Sequence, residues 1–207
     1  MFSEYLPITV TVTLILFITR EIIDLIKKHR EKKRLIRSLK ILLSEELKDN
    51  YYALKNLYRV LEFVNRSIQA YKEQIEVNKQ IKTDRFGNNL VTIAIGKGAE
   101  NGFLQMPFPK LSTKRYDAYI KEIATLDFSL YEEITIFYKK LRYCEKIRCE
   151  VIEYLELENH MNWAFDFRVE YMLEQKEEYE QTMQKLHAML IKKHMEIKRD
   201  EVIDINI

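Results

Sequence analysis

Apolar positions change their spacing several times along this chain, and each change predicts an element. Tyr5 to Thr19 (YLPITVTVTLILFIT) holds no charge. Phe2 on one side and Ile22, Ile23, Leu25 and Ile26 on the other extend the run. From Leu35 the apolar residues recur every three or four positions: Leu47, Leu54, Leu57, Leu61, Val64, Ile68, Tyr71 and Ile75, with Asn50 and Asn78 at seam positions. This heptad-like stripe predicts a long helix running to Ile81. No Gly or Pro stands between Pro7 and Gly87, so run and stripe are compatible with one rod, ~100 Å long at 1.5 Å per residue. A bend near the membrane is the other option.

Helical spacing stops between residues 83 and 112, where all four glycines and two of the three prolines collect. Leu90 to Ile95 (LVTIAI) predicts a short strand that pairs with Phe103 to Met106 across a Gly-rich turn. An isolated hairpin is marginal, so it needs helices or another chain beneath it. Ser112 and Thr113 cap a helix to about Ala124. Asp127 and Ser129 restart the chain, and Ser129 with Glu132 forms a capping box for the next helix, whose stripe runs Leu130, Ile134, Phe137, Leu141, Cys144, Val151 and Leu155, interrupted by Arg148. Asn159 to Asn162 is a turn, and a last helix carries Phe165, Val169, Met172, Tyr179, Met183, Leu186, Leu190 and Ile197. The expected fold is all-α: an N-terminal transmembrane helix continuing into a long stalk, packed with an antiparallel helical hairpin or bundle, plus a small Gly/Pro-rich β-hairpin. The expected segments are 1–26 anchor, 27–82 basic juxtamembrane segment and stalk, 83–112 loop or hairpin, 113–200 helical bundle and 201–207 tail.

Charge decides where this architecture sits. Residues 20–40 carry nine Lys/Arg against three acids. Arg20, Lys27, Lys28, Arg30, Lys32, Lys33, Arg34, Arg37 and Lys40 lie where positive charge is retained in the cytoplasm, so the N-terminus faces out and the rest faces in. The same residues suit anionic headgroups. The uncharged run is shorter than the ~20 residues of an ordinary span; snorkelling of Arg20 and bilayer thinning make up the difference. Thr9, Thr11, Thr13 and Thr19 can return their hydroxyls to the helix backbone, and Thr9 and Thr13 on one face permit close packing of spans. Three other readings fit less well. A signal peptide lacks its basic n-region and cleavage site, the alternation in ITVTVTL would suit a core strand, and an interfacial helix lacks a polar face.

Composition adds bounds. A length of 207 residues with 47% hydrophobic content supports about one domain beside the anchor. The net charge of +2 conceals a mildly acidic body beyond residue 40, which argues against nucleic-acid binding. Cys144 and Cys149 are too few for a disulfide framework. His187 and His194 share a helix face and could bridge a metal between chains, yet no Glu-x-x-His or His-Glu-x-x-His pattern accompanies them; solvated faces explain them better. Gly96-Lys97-Gly98 is a turn, not a phosphate loop. Trp163, Phe165, Phe167 and Tyr171 read as core at a helix start rather than a stacking platform. Asn50 either fixes register in a seam or marks a hydrated edge.

LLSEELKDNYYAL (Leu42 to Leu54), following an apolar helix and basic cluster, and FPKLSTKRYDAYI (Phe108 to Ile120), before a helix containing FYKKL, resemble small bacterial membrane-anchored helical proteins of unknown function. The resemblance covers about half the chain and implies an inner-membrane setting and no particular activity; some proteins of this build accompany anti-phage or toxin systems. The resulting expectation is a non-catalytic membrane scaffold, with the bilayer and a second copy or helical protein as partners and no cofactor. A membrane-perturbing effector and an enzyme acting on nucleic acid stand behind it.

Overall fold

The computed structural model describes residues 8–85, 87–96, 102–157 and 163–191. Among them the order is α1 (Ile8–Lys72), β1 (Val77–Thr83), β2 (Asn89–Ile95), β3 (Phe103–Pro107), α2 (Lys114–Leu126), α3 (Phe128–Glu156), α4 (Trp163–Glu174) and α5 (Lys176–Ile191). The chain is mostly helical with one small sheet, so the expected hairpin is one strand short.

α1 has 65 residues and reaches roughly 100 Å. Its two halves live in different surroundings. From Val10 to Leu35 nearly every residue is exposed, whereas Leu39, Leu43, Leu47, Leu54, Leu57, Leu61, Val64 and Ile68 are buried. Tyr51, Ala53, Tyr58 and Val60 are buried too, so burial extends well beyond a two-stranded seam. A narrow stripe through Lys48, Tyr52, Lys55, Arg59 and Glu62 stays exposed. This half of α1 is the central helix of the fold, packed in outline as expected by the chain's own later helices, and by the sheet as well.

Ion pairs and hydrogen bonds fix the directions. Lys40 meets Asp127 at 3.2 Å and Ser67 meets the Tyr154 hydroxyl at 2.7 Å, so α3 runs along α1 in the same sense. Lys72 meets Asp166 at 3.4 Å and Lys176 meets Glu62 at 2.9 Å, so α4 and α5 return antiparallel. The last expected helix is thus two, meeting at Gln175, and its portion beyond Ile191 lies outside the described residues, as do the tail 201–207 and the expected turn at Asn159 to Asn162.

α1 ends at Lys72, ten residues before the expected stalk end. Gln74 takes a φ of 60°, Gln74 N–H donates to Tyr71 O at 3.1 Å, and Ile75 N–H donates to Ala70 O at 2.9 Å. This is a Schellman ending, with glutamine where glycine is usual. Tyr71 is therefore half-buried in the last turn, Ile75 is exposed outside the helix, and Asn78 lies on β1.

The sheet is antiparallel in the order β1-β2-β3. Ile81 faces Val91, Lys79 faces Ile93, and Val77 faces Ile95; on the other side Val91 faces Met106. Val91, Ile93, Ile95 and Met106 are buried, which lays that face on the helices. Lys79 shares it and donates to Tyr154 O at 2.7 Å, its ammonium 3.9 Å from the Tyr154 ring centre.

Helix starts also differ from expectation. α3 is capped by Asp127, which accepts from Leu130 N–H at 3.2 Å, in place of the Ser129/Glu132 box. Thr113 precedes α2 but makes no side-chain cap; α1 supplies that cap instead. Arg148, which breaks the α3 stripe, is buried because Glu145 accepts from two of its nitrogens at 2.8 and 2.9 Å.

The membrane-spanning expectation is not supported: no helix among the described residues is long and apolar enough to cross a membrane. The reason is plain in the sequence. The described uncharged stretch is Ile8 to Thr19, and Arg20, Glu21 and Asp24 follow at once. Residues 1–7 of the expected anchor lie outside the described residues.

Candidate functional site

The feature that sets this molecule apart is the bare half of α1. Leu14, Ile15, Leu16 and Phe17 are exposed by 57, 57, 65 and 60%. Four successive positions sweep most of a helical turn, so the apolar surface goes all the way round. Burying such a side chain is worth about 1.5–3 kcal/mol, and here several remain unburied together. Thr19 Oγ1 donates to Ile15 O at 2.8 Å, the backbone return expected of these threonines. Thr13 is exposed, and the side chain of Thr9 lies outside the described residues.

Below this stretch comes a basic ring. Lys27, Lys28, Arg30, Lys32, Lys33, Arg34 and Arg37 are exposed, as is Arg20 above them. At ~100° per residue the seven occupy every side of the helix. Lys40, the last of the cluster, is drawn into the body by Asp127.

Where the body begins, α1 clamps the loop before α2. Glu46 is 2% exposed. Its Oε1 accepts from Arg115 N–H at 2.9 Å and Ser112 Oγ at 3.0 Å, and its Oε2 accepts from Tyr116 N–H at 3.0 Å and Tyr138 OH at 2.9 Å. A carboxylate at the start of α2 satisfies two orphan N–H groups and faces the positive end of the helix. Burial and the Glu46 carboxylate both push the Tyr138 phenol up. One turn on, Asn50 Nδ2 donates to Ser112 O and its Oδ1 accepts from Ser112 N–H, both at 2.7 Å. Asn50 therefore fixes register within the chain. Glu46 was not evident as a site residue, although its place between Leu43, Leu47 and Asn50 puts it on the buried face.

The aromatic patch divides. Phe165 is fully buried and stacks on Tyr154 with 5.2 Å between ring centres. Trp163, Phe167 and Tyr171 are 80, 63 and 42% exposed and, four apart, share one face of α4. The core expectation fails for these three. The Lys72–Asp166 pair puts that face at the end of the body farthest from the bare helix.

His187 is fully buried, which corrects the solvated reading; His160 and His194 lie outside the described residues. No group of three His, Cys, Asp or Glu side chains suited to a metal occurs among the described residues. Cys144 is buried and Cys149 exposed, neither in a disulfide, and burial pushes the Cys144 thiol up to about 12, the reverse of a reactive thiolate. No protein-family model, curated protein or solved structure matches this chain.

Proposed function

We propose that this protein is a bilayer-held helical scaffold. Residues up to Ile26 sit in lipid, the basic ring meets anionic headgroups on the cytoplasmic side, and the folded body stands off the surface to engage a protein partner. The observation carrying this reading is apolar exposure on every side of α1 between Val10 and Ile18. A helix with one apolar face asks for a partner on that face; a helix apolar all round asks for an apolar medium. The encircling bases support the same reading, since each basic residue near an anionic surface contributes about 1 kcal/mol, and a ring can touch headgroups in any direction. The Trp163, Phe167 and Tyr171 face supports partner binding away from the membrane.

Flotation tests it. Full-length protein is mixed with vesicles of phosphatidylcholine and phosphatidylglycerol and centrifuged through a density gradient. The parent is expected in the top fraction, and an Ile15→Lys, Ile18→Lys variant at the bottom. Parent protein that keeps its helical circular dichroism and stays at the bottom with every lipid mixture overturns the reading.

A further inference from the structure

We propose that α1 pairs in parallel with a second copy of this chain, through the side bearing Thr13, Phe17, Arg20, Glu21 and Asp24. The inference rests on the reading that this part of α1 enters a bilayer.

Above and below Thr19 the helix is not the same on its two sides. At ~100° per residue, Val12, Ile15, Ile22 and Ile26 share one side, all exposed. That side, which includes Thr19, carries no charge down to Ile26. Val10, Thr13 and Phe17 share the opposite side, where Arg20, Glu21 and Asp24 follow within two turns. The apolar surface therefore ends nine residues, or ~13 Å, earlier on one side than on the other. At the depth where the first side still faces lipid, the second presents three charges.

Two arrangements accommodate such a helix. A lone helix would tilt until both limits met the surface; ~13 Å across a helix ~10–12 Å wide requires a tilt of about 50°, beyond the usual 0–40°. Pairing instead removes the charged side from lipid, which is where ionisable groups in membranes are found.

Charge indicates what covers it. The three acids between residues 20 and 40, Glu21, Asp24 and Glu31, all fall on this side, whereas the bases surround the helix. Arg20 and Lys28 stand one turn from these acids on the same side, so the surface is self-complementary. In a parallel second copy Glu21 and Asp24 of one chain lie within about one turn, ~6 Å along the axis, of Arg20 and Lys28 of the other, as flanking charges do in paired helices. Above them Val10, Thr13, Leu14 and Phe17 line a shallow groove, and small Thr13 lets the backbones approach.

The test uses the full chain with Cys149→Ser, leaving buried Cys144 in place, in the same vesicles. Single cysteines are introduced as Thr13→Cys, Phe17→Cys, Ile15→Cys and Ile22→Cys and oxidised with copper phenanthroline. Disulfide dimer is expected at Thr13→Cys and Phe17→Cys, at least five-fold more than at Ile15→Cys and Ile22→Cys. Adding Asp24→Lys should lower the Phe17→Cys dimer several-fold, and adding Arg20→Glu to it should restore the dimer. Equal yields at all four positions, a reversed preference or no dimer anywhere overturns the pairing. Flotation of the same variants separates the two readings: protein that floats without cross-linking sinks only the pairing, and protein that does not float sinks both.

Discussion

Glu46→Ala removes the acceptor for four donors at once: the N–H groups of Arg115 and Tyr116 and the hydroxyls of Ser112 and Tyr138. A buried donor left without a partner is worth ~1–3 kcal/mol of lost stability. Four of these do not sum, because the carboxylate's own desolvation, several kcal/mol, is relieved by the same change. The net loss expected is ~3 kcal/mol, in the range for breaking a buried charged interaction. Glu46→Gln keeps the shape and one acceptor oxygen, but its amide nitrogen must face either Arg115 N–H and Ser112 Oγ or Tyr116 N–H and Tyr138 OH. Hydroxyls can turn and accept, so one clash remains and the loss should be ~1.5–2 kcal/mol. Tyr138→Phe alone removes one bond, ~1 kcal/mol, and should couple to Glu46→Gln non-additively. Urea unfolding of the full chain in mild detergent, followed at 222 nm, measures these. With a slope of ~2 kcal/mol/M, Glu46→Ala should move the midpoint down by ~1.5 M. A shift under ~0.3 M would refute the claim that α1 holds the α2 start through this carboxylate.

Gln74→Gly should raise stability by ~1 kcal/mol, because Gln74 has φ 60° in the region where a side chain costs ~1–2 kcal/mol; the same urea midpoint measures it, and an unchanged value counts against a strained helix end. Tyr58→Phe should be neutral or stabilising by up to ~1 kcal/mol: the Tyr58 hydroxyl is buried with no hydrogen-bond partner among the described residues, and removing an unpaired polar group removes its desolvation penalty. A loss above ~1 kcal/mol would mean the hydroxyl is paired. Stability should be complete below about pH 9 and fall as pH rises to 12, tracked by thermal melts at successive pH values. Burial raises Cys144 and Tyr154 to about 12, with the Ser67 hydrogen bond pulling Tyr154 the other way. The unfolded chain therefore gives up these protons first, and unfolding is favoured in between. A flat profile from pH 9 to 11 would contradict that burial.

How much of this was legible depended on whether the signal was local. Leu47 to Ile68 repeats every three to four residues, so a long helix packed by a later helical hairpin or bundle is readable from the chain; that four separate helices and a sheet surround it on most sides is not, because nothing local distinguishes an inner helix from a coiled-coil strand. β1 was missed for a specific reason. Ile75, Val77 and Ile81 continue a helical spacing as well as a strand alternation, and the break at Gln74 uses neither Gly nor Pro. Asn50 was noticed as a polar residue in a stripe, but its partner Ser112 is 62 positions away. Residue type alone puts Trp163, Phe167 and Tyr171 in a core, yet their spacing of four sets them together on one face, apart from Phe165. The exposed apolar segment and the basic ring below it are readable from composition, whereas the withdrawal of Lys40 into the body by Asp127 depends on packing and is not.

Among the described residues, the helix that ends up in the middle precedes every element that covers it. Leu39 to Ile68 must wait for α5, closing with Leu190, before their apolar surface is covered. At ~5–20 residues per second of ribosomal synthesis, that wait lasts roughly 6–24 s. Until then the nascent chain carries an apolar rod that the sheet and α2 to α4 cover only in part, which makes early capture by a chaperone the safest start for this protein's life.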